Sequence, residues 1–112
     1  MEAGFAPLAV ATETDGSITQ PANRAALYGI KVTVGTVSTL GTAPWSPLTD
    51  SVGGMAKSAE DLVHLVEAIV ENGNYTESLT KAWAGQKIGF VDDTLWEFVD
   101  FICTADPVLI EQ

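Results

Sequence analysis

Phe5-Ala6-Pro7-Leu8-Ala9-Val10-Ala11-Thr12-Glu13-Thr14-Asp15-Gly16-Ser17-Ile18-Thr19-Gln20-Pro21-Ala22 is the stretch on which the reading of this 112-residue chain turns. Residues 5–13 form an apolar run without clear alternation, closed by the polar turn residues 12–16. Such a run predicts an interior strand of an α/β sheet. Pro21 suits the first turn of a short helix, where its missing N–H costs nothing. A strand that passes through a tight Gly turn into Ser puts a hydroxyl beside several free backbone N–H groups. Acyl transfer needs both, a nucleophile and donors aimed at the developing oxyanion. Ser17 is therefore a candidate nucleophile, and an ordinary surface turn is the competing reading of the same residues.

Outward from this stretch, Leu27-Tyr28-Gly29-Ile30-Lys31-Val32-Thr33-Val34 alternates well enough for a second strand. Residues 35–54 are rich in Gly, Pro, Ser and Thr, with Trp45 among them, and read as a long ordered loop. The helix that follows, over about 59–71, is marked by Ser58 as a cap with Asp61 as its capping-box partner. Leu62, Val63, Leu65, Val66, Ile69 and Val70 supply its apolar face, and Asn72-Gly73 supplies a left-handed stop. Lys87-Ile88-Gly89-Phe90-Val91 predicts a further strand, and Asp106-Pro107 a helix start close to the last residue, Gln112.

Fifteen acidic residues stand against five basic ones, Arg24, Lys31, Lys57, Lys81 and Lys87, for a net charge of −10. The bases are scattered, which opposes binding to nucleic acid or to an anionic membrane surface. The 46% hydrophobic content is that of a folded domain. No signal peptide or membrane-spanning run is legible, so a soluble, cytoplasmic setting is the default expectation. One cysteine, Cys103, excludes an internal disulfide and reads as a structural thiol.

The quoted stretch resembles the heart of the amidase signature, in which a strand ending in Gly-Thr-Asp/Glu-Thr-Gly/Asp-Gly-Ser-Ile leads to Pro-Ala. Thr12 to Ile18, Pro21 and Ala22 fall in register with it. Tyr28 to Gly35 is similar to the family's Gly-Leu-Lys-Pro-Thr-x-Gly, with Val37-Ser38 following. Asp50-Ser51-Val52-Gly53-Gly54-Met55-Ala56 is similar to Asp-Thr-x-Gly-Pro-Met-Ala. Lys57 to Leu62 looks like the Arg-Ser/Thr-x-Glu-Asp helix start, and 87–91 like the Gly-x-Lys-Ile-Gly strand. The blocks hold one register from about residue 3 to residue 70, and ordered blocks are far more specific than one motif.

The resemblance implies an α/β architecture with a mixed sheet and helices on both faces. It implies hydrolysis of a carboxamide C–N bond, without a cofactor or metal, by a Ser–cis-Ser–Lys triad acting on a small-molecule amide. Ser17 matches the nucleophile. Backbone N–H groups around Thr14, Asp15, Gly16 and Ser17 match the oxyanion loop, and Asp50 matches an aspartate that supports the site. Asp15 stands where Gly is commoner, as in the subgroup resembling fungal and bacterial peptide-amidase-like enzymes. Thr19 replaces an Arg, while Val32 and Gly54 replace prolines.

Against that pattern, the family's lysine and cis-serine segments lie N-terminal to the nucleophile strand, and the sixteen residues before Ser17 hold no lysine. Residues 1–112 are therefore expected to be a partial amidase domain. Its nucleophile turn spans 5–22, its signature loops 28–56, its helix about 59–71 and its tail strand 87–91. The chain alone is expected to be inactive, because a serine without a base is a poor nucleophile. A non-catalytic truncated product or a partner-binding fragment is the alternative. Within the same class stands the amidase component of a glutamine-dependent tRNA amidotransferase. A fragment is also expected to self-associate through exposed apolar surface. A conventional Ser17–His64–Asp50 triad is disfavoured, because His64 falls in mid-helix beside apolar positions. Asp92, Asp93 and Asp100 read as solvated carboxylates rather than a metal site, and the three tryptophans as packing residues.

Overall fold

The structure, a computed structural model, describes residues 1–90. They divide between a unit of Met1–Lys81 and the beginning of a second unit that starts at Ala82. The expectations placed on Val91, Asp92, Asp93, Trp96, Asp100, Cys103 and Asp106-Pro107 lie outside the described residues.

In the first unit the elements run β1 (Leu8–Glu13), α1 (Thr19–Arg24), β2 (Tyr28–Lys31), β3 (Ser51–Ala56) and α2 (Ala59–Ile69), followed by a 3₁₀ turn at Thr76–Ser78. The sheet order is β1-β3-β2, and both pairings are antiparallel. The last strand in sequence is thus the middle strand in space. Among the described residues the sheet holds only antiparallel ladders, where a mixed sheet was expected; β1 and β2 run parallel to one another on either side of β3 without pairing. The α/β arrangement with a helix on each face is as the resemblance implies.

The register explains which helix covers which face. Ala11, Gly53 and Lys31 are aligned across the three strands, as are Val10, Gly54 and Ile30. Neighbours along a strand point to opposite faces, so Gly53 and Gly54 look into different layers. A Cβ on Gly54 would stand 2.5 Å from Leu65 Cδ2 in α2. A Cβ on Gly53 would stand 2.9 Å from Ile18 Cδ1, at the head of α1, and 2.0 Å from the Ile30 carbonyl oxygen. On the α1 side, Gly29 gives room to Ala22, whose Cβ would lie 2.7 Å from a Cβ at 29. Both layers close onto the central strand because these positions carry no side chain.

The cores follow from this division. Ile18 and Ala22 are buried on the α1 side; Val52, Ala56, Leu65, Val66 and Val70 are buried with Val32 on or beside the α2 side. Two small helices do not cover the sheet, and Leu8, Val10, Tyr28 and Ile30 remain exposed. The run 5–13 is accordingly not a fully interior strand: it is ordered as a strand from Leu8, and every second residue is exposed.

α2 starts as its sequence dictates. Ser58 Oγ accepts from the Asp61 N–H at 3.0 Å and donates to Asp61 Oδ2 at 2.7 Å. The helix ends at Ile69, and Asn72 takes the left-handed conformation (φ 59°) expected of the stop. Two expectations are corrected. The segment 35–54 is not loop throughout, because Ser51–Gly54 enters the central strand β3. Lys87–Phe90 forms no strand: these residues have no ladder partner among the described residues, and a strand is defined by its partner.

Candidate functional site at the β1–α1 turn

β1 ends at Glu13, whose side chain turns back over the residues that follow. Its Oε2 accepts from the N–H of Ile18 at 2.8 Å, the N–H of Thr19 at 2.7 Å and the Thr19 hydroxyl at 3.1 Å. The residue before α1, Ile18, has no hydroxyl or carboxylate of its own, so Glu13 caps the helix from five residues upstream. Burial pushes the Glu13 carboxyl up. The Thr19 and Ile18 N–H donors, the Thr19 hydroxyl and the charge of Lys31 outweigh it and hold the group below its ordinary value.

The opposite end of the turn is held from the other side. Thr14 Oγ1 donates to Asp50 Oδ1 at 2.6 Å, and Asp50 Oδ2 accepts from the N–H groups of Trp45 at 2.7 Å and Ser46 at 2.8 Å. The Thr14 hydroxyl is the main cause that holds Asp50 below the usual carboxylate range, followed by those two N–H donors. Lys31 Nζ donates to the Thr14 carbonyl at 2.6 Å. Beside Asp50, the buried Ser51 hydroxyl donates to the Val32 carbonyl at 2.7 Å and ties the foot of β3 to the chain after β2. Asp50 thus ties the long loop and the turn together at the foot of the central strand.

Between these anchors lie Asp15, Gly16 and Ser17. Gly16 is buried, its carbonyl accepts the Gln20 N–H at 2.9 Å, and a Cβ there would meet the Gln20 amide at 2.7 Å. Ser17 is exposed, with its hydroxyl unengaged among the described residues. The N–H groups of Asp15, Gly16 and Ser17 likewise donate to no acceptor among the described residues. An exposed hydroxyl next to unengaged N–H donors is the local arrangement from which an acyl-transfer site can be built.

The structure does not bring His64 to this site. Its ring nitrogen Nδ1 stands 3.9 Å from Glu67 Oε2 on the outer side of α2, with more than half of the side chain exposed. A cavity of about 340 Å³ between β2 and α2 is lined by Ile30, Val32, Leu62, Val66, Tyr75 and neighbours, and includes no residue of the turn. Among the described residues there is no cluster of three potential metal ligands and no helix long and apolar enough to cross a membrane.

Sequence reasoning missed Lys31, which it placed only as a residue of β2. The signal was a lone cation in an apolar strand, within reach of a turn carrying two acids. It also missed Ser51, whose role depends on a strand that its composition does not announce.

The family model described as Amidase matches residues 2–95. Among curated relatives, the glutamyl-tRNA(Gln) amidotransferase A-subunit of Neisseria meningitidis is 38% identical over 99 residues, covering 78% of this chain and 21% of that protein. The protein of the same name from Nitrosomonas eutropha is 39% identical, covering 78% and 20%. That from Marinomonas is 36% identical over 110 residues, covering 88% and 23%. In space, the chain is similar to the crystal structure of an amidase family protein from Bacillus anthracis. Their TM-score is 0.60 at 36% identity, over 72% of this chain and 17% of that one. The chain therefore spans about a fifth of the length of the curated relatives it matches. The ordered motifs, their shared fold and the match across residues 2–95 together establish that this chain belongs to the amidase family.

Proposed function

We propose that Ser17 is the nucleophile of a hydrolase acting on carboxamide C–N bonds, and that residues 1–112 supply the nucleophile-bearing part of its amidase domain. The observation that carries this reading is the turn itself. Glu13 pins one end and Asp50 with Lys31 the other, and the exposed Ser17 hydroxyl lies beside unengaged N–H groups between them.

In the reaction, Ser17 Oγ attacks the amide carbonyl carbon while its proton passes to a base. The carbonyl oxygen becomes an oxyanion, which N–H donors of the Thr14–Ser17 backbone stabilise. The nitrogen takes up a proton and leaves, and water then cleaves the acyl ester to restore the serine. The chemistry asks for no cofactor, and a small-molecule amide fits it. The acidic surface, at a net charge of −10, disfavours direct contact with nucleic acid. No base engages Ser17 among the described residues, and Lys31 is committed to the Thr14 carbonyl. The base is supplied from elsewhere, and the 112-residue chain by itself is inert.

The names of the curated relatives, 36–39% identical, favour a second reading within the same class. The amide nitrogen would then be handed to an acceptor, as in an amidotransferase, instead of being released to water. Co-purification of a larger complex that transfers amide nitrogen would support that reading over the stand-alone hydrolase of the peptide-amidase-like subgroup.

The test of the nucleophile uses a fluorophosphonate probe in extracts of the cells that make the protein, read by mass spectrometry on the tryptic peptide ending at Arg24. Probe mass on Ser17 is expected. Detection of that peptide without probe mass overturns the reading. The purified chain is expected to take no label, and Ser17-dependent amide turnover by it would overturn the inert state.

A further inference from the structure

We propose that Lys31 is a positioning residue for the oxyanion loop, setting and polarising the peptide that presents the Asp15 N–H. The inference rests on the reading of Ser17 as the nucleophile, and adds to it a residue of β2 outside the turn.

Lys31 Nζ donates to the Thr14 carbonyl oxygen at 2.6 Å, across the width of the central strand. The strand residue aligned with Lys31 is Gly53, which has no side chain to obstruct the lysine stem. The bond is charge-assisted, the stronger kind of hydrogen bond. In a trans peptide the C=O and the following N–H point in opposite directions within one plane. Holding the Thr14 carbonyl toward the ammonium therefore directs the Asp15 N–H away from it. The ammonium draws electron density toward the carbonyl, which makes the N–H of the same peptide a better donor, by the mutual polarisation that links hydrogen bonds in series.

The turn is pinned at both ends, and the hydrogen bond from Lys31 falls on one of them, at Thr14. Glu13 fixes Ile18 and Thr19 beyond Ser17. Asp50 fixes the Thr14 side chain, leaving the rotation of the Thr14–Asp15 peptide plane to the Lys31 contact. Loss of the ammonium removes a hydrogen bond at the Thr14–Asp15 peptide, while the Glu13 acceptor of the Ile18 and Thr19 N–H groups stays in place, so the effect is larger at Asp15 than at Thr19. A general loss of folding has no such selectivity.

The experiment is backbone ¹⁵N relaxation and amide chemical shifts on the full 112-residue chain, comparing the parent with Lys31→Met and Lys31→Arg. In Lys31→Met the Asp15 order parameter is expected to fall from about 0.85, the value of a rigid backbone, to below about 0.6. Its amide proton is expected to move upfield, as a less polarised donor does. Ile18 and Thr19 change less, and Lys31→Arg restores Asp15. An unchanged Asp15 in Lys31→Met overturns the proposal, as does a loss at Ile18 and Thr19 equal to that at Asp15 in a folded chain. Should Lys31→Met not fold, Lys31→Arg decides alone: a rigid, downfield Asp15 amide supports the proposal, and a mobile or upfield one overturns it. These readouts do not require catalysis. A chain whose Ser17 takes no probe in cell extracts would end the hydrolase reading and leave the Lys31 result standing on its own.

Discussion

Thr14 gives its hydroxyl hydrogen to Asp50 at 2.6 Å, across 36 residues of chain. The same carboxylate gathers the N–H groups of Trp45 and Ser46 with its other oxygen. One side chain thus ties the turn that carries Ser17 to the long loop before β3. Asp50→Asn keeps the size but puts an amide donor where one of these three donors now points. The variant is expected to melt at a lower temperature than the parent and to free the Trp45 and Ser46 amides. Hydrogen exchange that quickens at 45 and 46 while Leu65 and Val66 stay protected is the signature to measure.

Glu13 and Asp50 both titrate below their ordinary values, 4.5 and 3.8. Each is more acidic folded than unfolded, so the unfolded chain binds more protons through the acid range. The stability they contribute is complete above about pH 5 and is lost as pH falls through those ordinary values toward the folded ones. The melting temperature is expected to be level near neutrality and to drop below about pH 4.5. In Glu13→Gln/Asp50→Asn that acid-side drop should be shallower; an equally steep fall in the double variant would assign it to other carboxylates.

Glu13→Ala removes the acceptor of two backbone donors, and the Ile18 residue it serves is fully buried. Leaving a buried N–H without a partner costs about 1–3 kcal/mol. Glu13→Gln retains one acceptor oxygen and should lose less. Urea unfolding of the two variants against the parent gives the ranking, and equal losses would mean that the negative charge, not the acceptor, supplies the effect.

At the centre of the sheet, Gly53→Ala should be worse than Gly54→Ala. A Cβ at 53 meets the Ile30 carbonyl, which is backbone and cannot step aside, while a Cβ at 54 meets the end of the Leu65 side chain. Overpacking of this kind typically costs about 1–3 kcal/mol, and more where backbone must move. Leu65→Ala should couple favourably with Gly54→Ala, by about 0.5–3 kcal/mol in a double-mutant cycle. It should not couple with Gly53→Ala.

The exposed Leu8, Val10, Tyr28 and Ile30, carried on two outer strands whose far edges have no ladder partner among the described residues, predict self-association. Sedimentation of the purified chain is expected to show mass that increases with concentration. Val10→Lys should return it toward the monomer, and a monomer at all concentrations in the parent would remove the expectation.

What was legible in the sequence depended on whether the signal was local. The α2 start was readable because Ser58 and Asp61 make their bonds within one turn of helix. The β1–α1 turn was readable as a motif, with Glu13 in register within it. The central strand was not. Its Val52-Gly53-Gly54 carries weak strand propensity, since glycine contributes no side chain to a sheet. It is a strand because β1 and β2 supply ladders on both edges, a long-range cause that composition does not carry. Lys31 was invisible as a site residue for the same reason: its partner, Thr14, lies 17 residues away on the far side of that strand.

The glycine pair also limits how this sequence can drift. Elsewhere in a protein core, an enlarged residue can be offset by trimming the one it strikes. At Gly53 the obstruction is a carbonyl of the neighbouring strand, which no substitution trims, and its other neighbour, Ile18, immediately follows the serine. At Gly54 the obstruction is the end of a leucine side chain on α2, which can be trimmed. Two adjacent letters of the sequence are thus under unlike rules of inheritance: position 54 can exchange size with α2, whereas position 53 must stay empty for the serine to stay where it is.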